Sequence, residues 1–309
     1  MKITVFKTRA LLTWALAFAM SLLLVAEAAA AGRLDKIRAS GAITLGHPET
    51  SIPFAYLDAN QKPVGYTVDI CRAIAAALQQ RLALPSLDIR YNPVTSATRI
   101  PLIANGTIDL ECGNTSNLSE RHKFVDFAPT TYVTHTVLFA RKDSGVDVND
   151  IASLRGKTVT AQAGSLTIRY LGQLNVERKL NMAVMPANDL AQMLLMVQNG
   201  RVSAAATDDA LAYANVASSP DPAIYVIGTT GLDLYPYGIV LPKGDEAFKQ
   251  AVDDIVVDLI KQGKVAQLYE RYFNSPIPPR NINLHYPMSE GLKKALANPT
   301  DSSDPAAYR

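Results

Sequence analysis

Hydrophobic and polar positions along the chain switch between a two-residue and a 3.6-residue period, and the switches lay out two series of elements. Ala42 to Gly46 is β-rich and reads as a strand, followed by a Pro-bearing loop through Ile52-Pro53-Phe54. Beyond Asp69, Ile70, Ile74, Ala77 and Leu78 share one face while Arg72, Gln79 and Gln80 point away, which predicts an amphipathic helix with Asp69 as its N-cap. Asp88 to Tyr91 reads as a strand, Arg99 to Asn105 as a short helix ended by Gly106, and Ile108 to Cys112 as a third strand. Strand, helix, strand, helix, strand implies a parallel sheet that receives ligands at the carboxyl ends of its strands.

After Thr136 the pattern restarts. An extended Val137 to Ala140 and a charged turn through Asp143-Ser144-Gly145 lead into a strand at Thr158 to Gln162 and a helix at Leu166 to Leu174. A helix follows at Leu190 to Gln198, closed by Asn199-Gly200, then a short strand at Ala204 to Ala206. Ile239 to Leu241 is again extended and enters a long amphipathic helix, Glu246 to Gln262. Two α/β series joined by extended segments predict two lobes with strands crossing between them. The segment 298–309, rich in Pro, Ser and Asp, is expected to be disordered.

Residues 1–31 have a different character. Lys2, Lys7 and Arg9 precede an apolar stretch from Leu11 to Val25, and Ala28-Ala29-Ala30-Ala31 offers small side chains to a signal peptidase. The apolar run falls short of the roughly twenty residues that span a bilayer, so a cleaved secretory leader is expected rather than an anchor. Removing it changes the charge balance, because 30 Lys plus Arg against 28 Asp plus Glu becomes near neutrality. A neutral chain without a basic stripe lacks the footprint for phosphate backbones, which sets nucleic acid aside.

Four histidines, His47, His122, His135 and His285, show no HExxH or other paired spacing, so neither a metal nor a cofactor is expected. Gly156-Lys157-Thr158 imitates the end of a phosphate loop but leads into a strand, and Ile151 occupies the first-glycine position, so it reads as a turn. No GxSxG elbow occurs. Cys71 and Cys112 are best taken together as a disulfide in an oxidising compartment, the alternative being two buried free thiols.

Gly65-Tyr66-Thr67-Val68-Asp69-Ile70, followed by Ile74, Ala75 and Leu78, resembles the signature of the family 3 solute-binding proteins that serve polar amino acid ABC importers. Thr67 departs from the acidic residue usual there. The stretch Thr95 to Leu102, then Asn105-Gly106-Thr107, Glu111-Cys112-Gly113-Asn114-Thr115-Ser116, Glu120-Arg121 and Asn274-Ser275-Pro276-Ile277-Pro278-Pro279 is similar to the glutamate/aspartate-binding branch. The likeness runs from about Leu34 to about Ala297.

The resemblance implies a two-lobe periplasmic-binding-protein fold of the α/β class with a hinge of two crossing strands. Lobe one would take residues 34–136 plus 238–290, and lobe two 137–237. It also implies roles. A planar guanidinium suits an α-carboxylate, and Arg121 matches the arginine that makes this bidentate contact. Asp208, or Asp209 beside it, would accept the ammonium. Ser116 and Asn114 match main-chain-contacting positions, and Ser165 and Thr167 at a helix start would offer donors from the other side. Phe54 matches a loop aromatic that packs on the ligand, and Arg99 with Ser96 lies where the branch reads the ligand side chain. Asn117 with Glu120 also forms a capping-box pattern, which would put Arg121 on an exposed helix face instead.

Two positions depart from the branch: Pro48 stands in place of an arginine and Leu190 in place of a histidine. Amide or broader polar ligands are therefore expected to compete with acidic ones. The expected protein is a monomeric periplasmic receptor for an L-amino acid, partnered by a membrane permease and its cytoplasmic ATPase. The rival is a periplasmic cyclohexadienyl or arogenate dehydratase-like enzyme on the same scaffold. Glu49 and Asp189 fall near the expected cleft, without a recognisable catalytic spacing.

Overall fold

A computed structural model describes residues 32–309; the leader read over residues 1–31 lies outside them. In the first half of the chain the strands are β1 (Ala42–His47), β2 (Thr50–Ser51), β3 (Ala55–Leu57), β4 (Pro63–Val64), β5 (Asp88–Pro93), β6 (Leu110–Glu111), β7 (Val125–Phe127) and β8 (Tyr132–Arg141). The second half adds β9 (Thr158–Gln162), β10 (Ala183–Ala187), β11 (Ala204–Asp208), β12 (Tyr225–Ile227), β13 (Leu234–Tyr237) and β14 (Val240–Pro242).

Two mixed sheets carry the fold. The first has the order β5-β1-β6-β14-β7, and the second β10-β9-β11-β8-β12 with β13 also paired to β8. β5, β1 and β6 are parallel, as strand-helix-strand alternation predicts. The expectation of a parallel sheet fails at β14, which comes back from the second half of the chain and inserts antiparallel between β6 and β7. A strand delivered by a crossing segment enters from the opposite end, and strand periodicity alone carries no sign of that direction.

The extended segment expected at Val137 to Ala140 is part of one ten-residue strand, Tyr132–Arg141, whose partners are β11, β12 and β13. Its first half pairs with β13, Tyr132 opposite Tyr237 and His135 opposite Leu234, and its second half pairs with β11, Thr136 opposite Asp208. The expected lobe limits at 136–137 and 237–238 thus fall inside β8 and at the joint between β13 and β14. At that joint a Cβ on Gly238 would meet the Ala128 carbonyl oxygen at 2.7 Å, a close approach that glycine alone allows.

The first amphipathic helix runs Tyr66–Arg81, four residues earlier than an N-cap at Asp69 predicts. Gly65, at φ +135°, holds the entry because a Cβ there would lie 2.2 Å from the Phe54 carbonyl oxygen. Asp69 sits in the first turn, its amide bonded to the Gly65 carbonyl at 2.9 Å, and its carboxylate pairs with Arg72 at 2.8 Å and accepts from the Tyr272 hydroxyl at 2.6 Å. Thr67 is buried, and its hydroxyl reaches the carbonyls of Phe54 at 2.9 Å and Cys112 at 2.8 Å. Four residues on, Cys71 is disulfide-bonded to Cys112, tying the helix to the end of β6.

Phe54 is fully buried, in a cluster with Tyr66, Tyr132, Tyr237 and Phe273, its ring 4.7 Å from Tyr132 and 5.4 Å from Tyr237 in edge-on geometry. Such pairs add about 0.5–1.5 kcal/mol beyond area burial. The expected disorder of residues 298–309 is also corrected. Tyr308 is 1% exposed, its hydroxyl 2.8 Å from Thr130 Oγ1, while the Asp301 carbonyl accepts from Asn117 Nδ2 at 2.8 Å. One large aromatic and a set of backbone acceptors anchor a segment whose composition otherwise reads as solvated.

Candidate functional site

One small cavity lies where the two sheets face each other. It is lined by Ser96, Arg99, Asn114, Ser116 and Arg121 from the first series and by Gln162, Ser165, Leu166, Thr167, Ala206, Thr207, Asp208 and Leu211 from the second. Eight of the expected site residues therefore converge. Phe54 does not, because its ring is spent in the aromatic cluster behind Tyr237 rather than at the cavity wall.

Local geometry explains each placement. Thr95 and Thr98 cap each other, with Thr95 N to Thr98 Oγ1 at 2.9 Å and Thr98 N to Thr95 Oγ1 at 3.2 Å, so the turn carrying Ser96 and starting the Arg99–Ala104 helix is fixed. Ser116 forms an isolated bridge to Tyr237 on the crossing strand. The capping-box reading of Asn117 fails. Asn117 is buried and holds the Asp301 carbonyl and, at 2.6 Å, His122 Nε2, while residues 121–123 make only a single 3-10 turn without a side-chain cap. Arg121 consequently turns inward, donating Nη1 to the Ser116 carbonyl at 2.8 Å.

Arg121 has no carboxylate partner among the described residues. Burial, reinforced by the Arg99 charge, brings its guanidinium down to about 10, so it remains protonated at neutral pH with donors to spare. Across the cavity Asp208 ends β11 and receives one hydrogen bond, from the Tyr237 hydroxyl. Burial pushes its carboxyl up to about 7, against the pull of Tyr237, while the charge of Asp209 adds to the rise. Asp209 differs from Asp208 in its partners. It accepts from Thr134 Oγ1 at 2.8 Å, from the Tyr286 hydroxyl at 2.7 Å and from the Ala210 amide at 2.7 Å, which leaves it saturated and turned away from the cavity. Burial raises its carboxyl as well.

Ser165 N-caps the Leu166–Glu177 helix, accepting from Ile168 N at 3.2 Å, so its hydroxyl hydrogen stays available to the cavity. Just before it, Gly164 at φ +71° brings the turn against the first lobe, where a Cβ would stand 3.0 Å from the Ala97 amide nitrogen. The lobes thus touch across the cleft mouth.

Gln162, Thr207 and Leu211 line the cavity without having been expected there. Gln162 had a signal, since it closes β9 at the carboxyl edge where α/β sheets receive ligands. Pro48 and Leu190 are not in the lining. Leu190 is 2% exposed and borders a separate apolar groove with Tyr56 and Leu194, which meets the cavity only through Leu211. Of the two candidate catalytic carboxylates, Asp189 is used as a helix cap, accepting from Gln192 N at 2.8 Å, and Glu49 borders that same groove.

An unpaired guanidinium, a buried carboxyl and a helix start aimed at one cavity can hold a zwitterion: an anionic group at Arg121, a cationic group at Asp208. Residues 43–275 match the bacterial extracellular solute-binding proteins, family 3. The chain is 42% identical to the L-glutamate/L-aspartate-binding protein of Pseudomonas aeruginosa, covering 88% of this chain and 90% of that one. It is 37% identical to the glutamate/aspartate import solute-binding protein of Escherichia coli, covering 90% and 91%. Among solved structures, a mutant of ArgBP from T. maritima superposes with a TM-score of 0.69 at 27% identity, over 77% of this chain and 98% of that chain.

Proposed function

The chain belongs to the family 3 bacterial extracellular solute-binding proteins, and from that premise we propose that it captures glutamate, aspartate or a related polar amino acid and delivers it to an ABC importer. The observation that carries this reading is the convergence of Arg121 and Asp208 from opposite sides of one cavity. The α-carboxylate would take the free donors of Arg121 together with Ser116, and the α-ammonium would replace a proton on Asp208. Thr167 and the amides at the start of the Leu166–Glu177 helix would add donors from the second lobe.

Closure is the second half of the function. A ligand held by both lobes favours the closed state by as much as it prefers that state, and the crossing strands β8 and β13 to β14 are where the backbone would bend. The closed shape would be read by a membrane permease whose cytoplasmic ATPase drives transport, with the receptor working as a monomer in the periplasm. The dehydratase reading gains no support, since its two candidate carboxylates are a helix cap and a groove residue and the similar proteins are binding proteins.

Thermal-shift screening of the purified chain against the twenty amino acids tests the proposal, because a ligand that binds only the folded state raises Tm. Glutamate, aspartate or their amides should give the largest rises. A flat response to all twenty would contradict it.

A further inference from the structure

Glu111 carries a buried charge that the proposed capture of the amino acid does not use. It lies on β6 with no exposed surface, behind the cavity wall. Its Oε2 accepts from Thr115 Oγ1 at 2.7 Å, and Arg99 Nη1 donates to that same hydroxyl oxygen at 2.6 Å. Arg99 Nη1 also stands 3.4 Å from Glu111 Oε1, with the two side chains 4% and 0% exposed. Oε1 receives no hydrogen bond. It lies over Gly113, where a Cβ would sit 2.3 Å from it and 2.9 Å from Pro48 Cδ, and proline has no side-chain donor to offer.

Arg121 and Asp208 would answer the two main-chain charges of an α-amino acid. The remaining cation is Arg99, already bound to Ser96 Oγ at 3.3 Å as well as to Thr115, and its charge is offset by Glu111. The end of the cavity that would meet the ligand side chain is therefore close to neutral. A buried carboxylate entering there needs compensating charge, whereas an amide needs only donors and acceptors.

Resting on the amino-acid reading of this cavity, we infer that Glu111 is a specificity-determining positioning residue: it holds Arg99 in place, offsets its charge and so lets amide side chains compete with carboxylate ones. Glu111 touches no ligand and acts through Arg99. Loss of packing at Glu111 would weaken all ligands together, while loss of its charge changes the ratio between an acid and its amide.

Calorimetric titration of glutamate, glutamine, aspartate and asparagine into the wild-type chain and the Glu111→Gln variant tests this. In the wild type each acid should bind no more than about thirtyfold tighter than its amide, and in Glu111→Gln the ratio should move at least about tenfold toward the acid, tenfold being 1.4 kcal/mol. A wild-type preference for acids above thirtyfold would overturn the inference, as would a smaller or opposite shift in a folded variant. If Glu111→Gln fails to fold, the equally uncharged Glu111→Met takes its place, with the same expected shift and the same overturning result. Failure of all four ligands to bind the wild type would remove the amino-acid reading and this inference with it, whereas binding with an unmoved ratio removes the role of Glu111 only.

Discussion

Arg169 Nη2 lies 2.6 Å from Glu120 Oε1, an ion pair that ties the Leu166–Glu177 helix of the second lobe to the loop that carries Arg121 in the first. The hydrogen bond from Arg169 holds the Glu120 carboxyl below its usual range. Both side chains are about half exposed at 53%, so solvent and salt screen the pair. The pair is therefore a weak tie between the two elements.

Arg169→Ala should therefore weaken ligand binding only slightly, by about 0.2–1 kcal/mol, with the loss shrinking at high salt. Stopped-flow release rates at two ionic strengths would read this directly, as a few-fold faster release at low salt. A loss that is large and salt-independent would mean that Arg169 contacts the ligand.

Ligand binding should strengthen as pH rises through neutrality. With the Asp208 carboxyl at about 7 in the free protein, an ammonium partner requires its ionised form. Affinity should then be about tenfold lower at pH 6 than at pH 8, a dependence that Asp208→Asn abolishes. Stability of the ligand-free chain carries the opposite sign. A raised carboxyl contributes most below its unfolded value near 3.8, and that contribution is lost as pH rises through about 7. Titrations at pH 6 and pH 8 on both proteins check the binding term.

Reducing the Cys71–Cys112 disulfide should cost about 2–4 kcal/mol of stability and leave the order of ligand preferences unchanged. Its two half-cystines are both fully buried behind the cavity and line no part of it. Denaturant melts with and without reductant, each followed by thermal shift against glutamate and glutamine, would show the loss. A reversal of preference on reduction would contradict it.

Tyr308→Ala should destabilise the chain by about 3 kcal/mol, the cost of removing a buried aromatic. The C-terminal segment also holds Asn117 through the Asp301 carbonyl, one residue from Ser116 and four from Arg121. A truncation after Ala297 should thus lower both Tm and affinity. Unchanged Tm in Tyr308→Ala would show the segment to be unanchored.

Much of this arrangement was legible in the sequence where a local signal marks a boundary. Thr158–Gln162 and Leu190–Gln198 have the bounds that periodicity predicts, the latter because Asp189 caps it and Asn199-Gly200 ends it. Resemblance points to Arg99, Arg121 and Asp208, which the fold brings to one cavity, whereas what sets Asp209 apart from Asp208 is the hydroxyls of Thr134 and Tyr286, which come from 75 and 77 residues away. Long-range partners of that kind leave no periodic trace. Phe54 was misplaced for the same reason, since an aromatic in a loop looks alike whether it faces a ligand or Tyr132. Glu111 reads as one polar residue in a short strand, and only the fold puts it beside Arg99. The direction of β14 and the anchoring of Tyr308 likewise depend on contacts across the chain rather than along it.

On the proposed reading, Arg121 supplies the guanidinium that holds the α-carboxylate shared by every ligand. Calorimetric titration of L-glutamate into Arg121→Ala, with circular dichroism to show that the fold persists, checks this role. A loss of about 2–5 kcal/mol is expected, enough to remove measurable binding of glutamate and of any other accepted amino acid. Wild-type affinity in a folded Arg121→Ala variant would contradict it.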